Sequence, residues 1–341
     1  MRSMGRIQFV HTHNDIISLD NLLSAWQEFV KGKRSRKDVQ EFERNLMGNI
    51  ISLHKNLATQ TYTHSAYEAF NISDPKPRNI HKAKVRDRLL HHALYRKLYQ
   101  FFDRTFIADS YSCRYGKGVH RAMNRFRTFV YTVSKNDTHT CWVLKCDIRK
   151  FFASIDHCVL KQILAKYIPD KSILWLLGRV IDSFHTKDKH DIGLPLGDLT
   201  SQLLVNIYMN KFDQFMKHKL KAKYYVRYAD DFVILSQNRQ RLENILPKMK
   251  DFLQSELKLE LHPDKVSIQT CSSGVDFLGW VHFPNHRVLR TVTRKRMARA
   301  LRVGVSEGAL HSYRGLLLNG NAYKISQEIS ENITPRHADA L

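Results

Sequence analysis

The chain has 341 residues, and its 55 Lys and Arg against 32 Asp and Glu give a formal net charge of +23. At 43% apolar and 26% charged it has the composition of a folded chain rather than a disordered one, with length for about two domains of roughly 150 residues. A mean hydropathy of −0.41, no apolar run near the ~20 residues of a membrane span, and polar residues where a signal peptide needs an apolar stretch argue against membrane insertion and secretion and for a cytoplasmic protein.

The positive charge is clustered. Lys31 to Lys37 (KGKRSRK), Lys76 to Arg104 and Arg287 to Arg302 form three basic blocks, the first and last without an acid. Such blocks suit a long polyanion, because each phosphate contact releases counterions; the alternative is solvated faces kept soluble by charge. The five cysteines are odd in number and contain no C-x-x-C pair, which argues against a disulfide scaffold or a structural zinc site and for reduced thiols. The 18 histidines are scattered; His11 with His13, and His91 with His92, lack further ligands at zinc-site spacing.

In chain order, Leu22, Leu23, Trp26 and Val30 predict a helix over 19–30, and the stripe Val39, Phe42, Leu46, Ile50, Leu53, Leu57 predicts one continuous helix over 38–57. Residues 73–77 (SDPKP) read as a turn, 78–80 as a short strand, and about 83–102 as a basic helix. After a polar break at 132–140, Trp142 to Ile148 reads as a strand that delivers Asp147. Asp156 is placed to cap a helix with Leu160, Ile163, Leu164 and Tyr167 on one face. A polar loop over 185–193 leads through Leu194-Pro195-Leu196-Gly197 to a helix from near Thr200. Residues 224–235 (YYVRYADDFVIL) read as a hairpin, 242–257 as an amphipathic helix, 275–284 as a strand pair, and 292–333 as two or three helices broken by glycines. Strands interleaved with helices give an α+β class, a sheet backed by helices.

Two adjacent aspartates in an apolar hairpin raise each other's proton affinity unless a cation is near; a polar turn is the plainer reading. Asp147, at the end of a neighbouring apolar strand, is either a helix cap or a site residue. Set beside Asp230 on a neighbouring strand, it would complete a carboxylate cage for hard divalent ions.

With these residues the chain resembles a reverse transcriptase over roughly 70–285. KPRNIHKAKVRDRLLHHAL and SYSCRYGKGVHRAM resemble the fingers blocks. WVLKCDIRKFFASIDH, LPLGDLTSQLLVNIYMNKFD, YVRYADDFVIL and LELHPDKVSI resemble palm motifs A to D, and VDFLGWVHF the primer-grip motif. The resemblance implies a right-hand polymerase fold: an N-terminal helical extension (1–70), fingers (71–140), palm (141–285, with part of the fingers inserted) and a short helical thumb (286–341). It also implies RNA-directed DNA synthesis with two Mg²⁺ ions (Mn²⁺ as a substitute), dNTP substrates, a template RNA and a cDNA/RNA duplex. By the same resemblance Asp147, Asp230 and Asp231 bind the metals with the carbonyl of Ile148, and Lys265 is the motif D cation or a plain surface lysine. Arg78 meets the triphosphate, with Gly197 and Gln202 at the nucleotide. Phe152 falls at the steric gate that excludes a ribose 2′-OH, or is a core aromatic. Phe277, Leu278 and Gly279 hold the primer, Gly279 being equally a turn glycine. Arg86, Arg88, Arg114, Lys295, Arg299 and Arg302 are the expected nucleic-acid contacts, the last three on one helix face with Met297 and Leu301 on another.

Motif B departs from the Gln-Gly-x-x-x-Ser-Pro of intron-type enzymes: Leu196 precedes Gly197 and Gln202 follows Ser201. This resembles the reverse transcriptases of diversity-generating retroelements, bacterial or phage-encoded, which act with a small, basic, oligomeric accessory variability protein and copy template adenines with frequent errors. Leu196 and Gln202 are the fidelity-related pair. The roughly 55 residues after the primer-grip block leave no room for a maturase or endonuclease domain. A phage-defence reverse transcriptase and a catalytically silent RNA-binding scaffold are the competing readings.

Overall fold

The structure, a computed structural model, describes residues 7–73, 77–323 and 327. In chain order it begins with α1 (His13–Ile17), α2 (Leu19–Phe29), α3 (Lys37–Glu43) and α4 (Leu46–Ala58), then β1 (Glu68–Ile72), β2 (Arg78–Lys82), α5 (Val85–Phe102) and α6 (Val119–Val133). β3 (Trp142–Asp147), α7 (His157–Ala165), α8 (Lys171–Ile181), α9 (Leu199–Gln214), β4 (Tyr225–Tyr228) and β5 (Asp231–Ser236) follow. The remainder is α10 (Arg239–Leu257), β6 (Ser267–Thr270), β7 (Val275–Phe277), β8 (Trp280–His282), β9 (Arg287–Leu289), α11 (Thr291–Val303) and α12 (Glu307–Leu317). Among the described residues no helix is long and apolar enough to cross a membrane.

These elements form two compact units. The first takes the described residues of Met1–Ala108, Ile148–Lys221 and Lys248–His262. Its core is helical: α2 and α9 pack on α5, burying Leu22, Trp26, Phe29, Leu90, Leu94 and Phe102, each worth about 1.5–3 kcal/mol of transfer free energy. α2 starts where Ser18 accepts the Asn21 N–H. α7 starts where Asp156 accepts the Val159 N–H at 2.9 Å, as the sequence predicts. The expected helix over 38–57 is instead two, α3 and α4, because Asn45 leaves helical geometry (φ −125°, ψ 46°). Its stripe survives the break, since Val39, Ile50, Leu53 and Leu57 are all buried. The strand expected at 78–80 is longer and pairs with β1 in a two-stranded ribbon; residues 74–76 of the expected turn lie outside the described residues.

The second unit takes the described residues of Asp109–Asp147, Ala222–Pro247 and Pro263–Leu341. Its centre is an antiparallel sheet in the order β4-β5-β3-β6. α6 packs on β4 and β5, and its apolar stripe (Ala122, Phe126, Val130, Val133) shares a core with Val143, Val226, Val233 and Phe277. A second sheet, β7-β8-β9, places Trp280 against Met297 of α11 and Leu317 of α12. Lys295, Arg299 and Arg302 are exposed while Met297 is buried, so α11 is amphipathic in the expected sense. α11 and α12 are two of the helices expected over 292–333; what the expectation placed at 324–326 and 328–333 lies outside the described residues.

Candidate active site

The carboxylates gather in the second unit because two strands share a register. β3 pairs antiparallel with β5 so that Asp147 stands opposite Asp231, with Cys146 opposite Phe232 and Lys145 opposite Val233. Directly opposed residues on one face hold their Cβ atoms about 4.5–5.5 Å apart. β4 pairs with β5 through Tyr228 and Asp231, so Ala229 and Asp230 form the turn. Ala229 is left-handed (φ +54°), which costs a residue with a Cβ of order 1 kcal/mol. A buried arginine holds the turn there. Arg227 is 0% exposed, and its guanidinium donates to Ala229 O at 3.0 Å and Ser110 Oγ at 3.1 Å.

The electrostatics of this corner call for cations. Asp231 Oδ1 is buried without a hydrogen-bond partner. Burial, with Asp147 and Asp230 beside it, pushes the Asp231 carboxyl up to about 7, against the pull of Lys145 and Arg290. Lys265 donates to Asp147 Oδ1 at 2.9 Å. Three acceptor-only side chains, one with an orphaned buried oxygen, fit hard divalent ions. Ile148, next in the chain, is 1% exposed and bridged to Leu261.

Sequence reasoning missed Lys145, Arg227 and Arg290 as members of this corner. Lys145 is two residues before Asp147 and so on the same strand face. Arg227 is a charge inside the apolar run of the hairpin, and that is its signal. Arg290, which pairs with Asp276, carries none. Phe277 is buried with its ring 5.6 Å from that of Phe126, while Leu278 (φ +52°) and Gly279 (φ +89°) make the turn between β7 and β8. Arg114 donates to Ser110 O at 3.0 Å.

Apart from Lys295, Arg299 and Arg302 on α11, the remaining predicted residues (Arg78, Arg86, Arg88, Phe152, Leu196, Gly197 and Gln202) lie in the first unit. Leu196 O accepts the His81 N–H at 3.0 Å, so the motif B turn rests on β2, the strand that begins with the exposed Arg78. Gly197 has φ +118°, and a Cβ there would stand 3.1 Å from Ile80 Cγ2; both its conformation and that close approach favour glycine. A cavity of about 390 Å³ opens here, lined by Gly197, Asp198, Gln202 and the bases Lys33, Arg36 and Arg88 among others. The basic block at 31–37 thus reaches motif B, which its sequence alone does not show. Arg88 pairs with Asp38 and stacks on Phe29; Arg86 donates to Thr63 O at 2.6 Å. Both of these expected nucleic-acid contacts are engaged within the fold. Phe152 is half-buried in a short 3₁₀ turn beside Phe151, and its carbonyl accepts the Leu194 N–H at 2.8 Å.

Asp198 is a further missed residue. Burial pushes its carboxyl up to about 7. His64 Nδ1 lies 2.6 Å from Ser65 O, so that nitrogen carries the proton and Nε2 is an acceptor. His91 Nε2, 3.2 Å from it, is then the donor, which leaves His91 Nδ1 as a lone pair. Nδ1 faces Asp198 Oδ2 at 3.6 Å, and both atoms are buried without partners. Burial pushes His91 down to about 3, so a neutral Asp198 is the group with a proton to give. The signal was an acid directly after Gly197, with two histidines in tandem on α5.

An antiparallel sheet carrying two acid-bearing strands, backed by helices, is the architecture of a right-hand polymerase. The telomerase of Candida tropicalis, in a structure truncated from the C-terminal domain, shares this fold at a TM-score of 0.50, with 13% identity over 70% of this chain and 59% of that one. The model of the reverse transcriptase (RNA-dependent DNA polymerase) family matches residues 73–282, and the chain belongs to that family. Its relatives include Protein YkfC of Escherichia coli, 26% identical over 65% of this chain and 66% of that protein. Another is the group II intron-encoded protein LtrA of Lactococcus lactis, 24% identical over 62% of this chain and 44% of that protein. The chain thus spans just under two thirds of YkfC and less than half of LtrA.

Proposed function

We propose that the chain is an RNA-directed DNA polymerase that copies a template RNA into cDNA in the cytoplasm of a bacterial cell. The observation that carries this reading is the Asp147–Asp231 register with Asp230 in the adjoining turn. Asp147, Asp230, Asp231 and the carbonyl of Ile148 would hold two divalent ions. When bound, these supply charge neutralisation for an attacking 3′-hydroxyl and a departing pyrophosphate. Lys265 pairs with Asp147 and offers a proton at the leaving group. Phe152 acts as the 2′-OH gate and Arg78 as a triphosphate contact, and Gly197 and Gln202 stand at a basic cavity suited to a phosphate-bearing strand. In domain terms we assign 1–70 to an N-terminal extension, 71–140 to fingers, 141–285 to palm and 286–341 to a thumb whose α11 offers Lys295, Arg299 and Arg302 to a duplex. Leu278 and Gly279 present the primer-grip turn, which Phe277 anchors from the core.

Within this activity we favour the diversity-generating type. Leu196 brings no hydrogen-bonding side chain to motif B, and selectivity built on apolar shape is weaker than selectivity built on hydrogen bonds. The same reading implies Mg²⁺, dNTPs and a basic oligomeric accessory protein. The test is an error spectrum on an RNA template with that partner supplied. Errors should concentrate at adenines and fall in Leu196→Gln; a spectrum flat across the four bases sinks the diversity-generating reading and leaves the polymerase reading standing.

A further inference from the structure

A second set of metal-ligating side chains stands in the first unit. His157, Asp182 and Asp191 each present one ligand atom, and the three atoms lie within 4.8 Å of one another. His157 opens α7, Asp182 follows α8, and Asp191 belongs to the loop that leads to motif B.

The histidine makes this more than a pair of surface acids. His157 is 2% exposed. Its Nε2 lies 2.7 Å from Gly193 O, and a carbonyl only accepts, so Nε2 carries the ring proton. In the neutral ring Nδ1 is then a lone pair. It is buried with no hydrogen-bond partner, and it faces another acceptor, Asp182 Oδ1, at 3.4 Å. Lys161 donates to both oxygens of Asp182 at 2.6 Å, which gives the imidazole nothing. Two opposed lone pairs with a second carboxylate beside them are reconciled by a shared cation. Histidines that ligate metals characteristically donate their other N–H to a backbone carbonyl, which fixes tautomer and ring orientation; Gly193 O is so placed.

We propose that His157 Nδ1, Asp182 and Asp191 bind a divalent transition-metal ion, with Zn²⁺ the best match to one imidazole and two carboxylates completed by water. The ion is a clamp rather than a reactant. The 186–194 loop is already laid on the 152–157 segment: Thr186 Oγ1 donates to Ala153 O at 3.0 Å, and Gly193 N to Ile155 O, Leu194 N to Phe152 O and His157 N to Asp191 O at 2.8, 2.8 and 2.9 Å. The metal would tie the segment bearing Phe152 to the one entering Leu196 and Gly197, and it does not depend on polymerase activity.

The test uses the full chain, stripped with EDTA, supplied with ZnCl₂, desalted and assayed for bound zinc and for Tm. Asp182→Asn and Asp191→Asn alter exposed side chains and leave the fold intact; His157→Gln is the buried third. Wild type and Asp230→Asn should each retain one equivalent more zinc than the Asp182, Asp191 and His157 variants, and only the former two should gain Tm on adding Zn²⁺. Zinc content unchanged in both aspartate variants would overturn the site. So would a wild type that holds no zinc, since His157 and Asp182 would then be a plain side-chain contact.

Discussion

Two carboxyl groups, one in each unit, are pushed up to about 7, and they mean opposite things. Asp231 is raised by burial with Asp147 and Asp230 adding to it, so its proton stands in for a cation. Asp198 is raised by burial with only Asp87 adding to it, and it faces the lone pair of a neutral His91. There the proton is the ligand that the surroundings require. A shifted carboxyl is therefore informative only with its neighbours: like charges around it point to metal, and an orphaned acceptor points to a donor that stays protonated up to about pH 7.

The two carboxyl groups should differ most in activity. Asp230→Asn should abolish Mg²⁺-dependent dNTP incorporation on an RNA template, and Mg²⁺ should raise the Tm of the wild type but not of this variant. Asp198→Asn should keep the Mg²⁺ response. If Mg²⁺ stabilises Asp230→Asn as much as the wild type, the acidic corner is not the cation site. Next in size is sugar selectivity. Phe152→Ala should raise the rNTP to dNTP incorporation ratio by roughly 10–200-fold, the range in which an apolar pocket discriminates by shape; an unchanged ratio puts the gate at another residue.

The turn that presents Asp230 depends on Arg227. Arg227→Met keeps the aliphatic volume but leaves Ala229 O and Ser110 Oγ without their donor, at a cost on the order of 1–3 kcal/mol. Denaturant unfolding should show that loss, whereas Arg239→Met, on an exposed i, i+4 pair with Glu243, should cost under about 0.5 kcal/mol. Equal losses would mean that the turn holds its left-handed alanine without help.

How much of this was legible follows the range of the interactions. Asp147, Asp230 and Asp231 could be read because a strand end and a hairpin are local patterns. α2 was legible through its apolar stripe, and α7 through its Asp156 cap and its stripe. The break between α3 and α4 was not, since the apolar stripe runs through it and only Asn45 marks it. α6 is carried by the stripe Ala122, Met123, Phe126, Val130 and Val133 at helical spacing, a local signal that the sequence holds in full. Asp198 with His91 and His64, and His157 with Asp182 and Asp191, come from segments far apart in sequence. No spacing rule joins them; only the packing of α5 against α9, and of the 186–194 loop against the start of α7, does so.

The smallest effect is also the most direct test of the neutral donor. Asp198 titrates near 3.8 when unperturbed and about 7 in the fold, so between those values the native state binds a proton that the unfolded chain has lost. Stability from this group is complete below about pH 4, falls as pH rises, and reaches its floor above about pH 7. Tyr67, Arg88, Asp87 and His91 surround it, and of these His91 is already neutral across the window. Asn at 198 can still donate an N–H to His91 Nδ1 but cannot ionise. The difference in unfolding free energy between wild type and Asp198→Asn should therefore change with pH, the wild type losing ground between pH 4 and pH 7; Asp231 titrates in the same window in both chains and cancels. Asp198→Leu has no donor and should be destabilised at every pH. If the wild-type and Asn curves run parallel from pH 4 to pH 8, Asp198 is ionised throughout, and the orphaned nitrogen of His91 must take its proton from another neighbour.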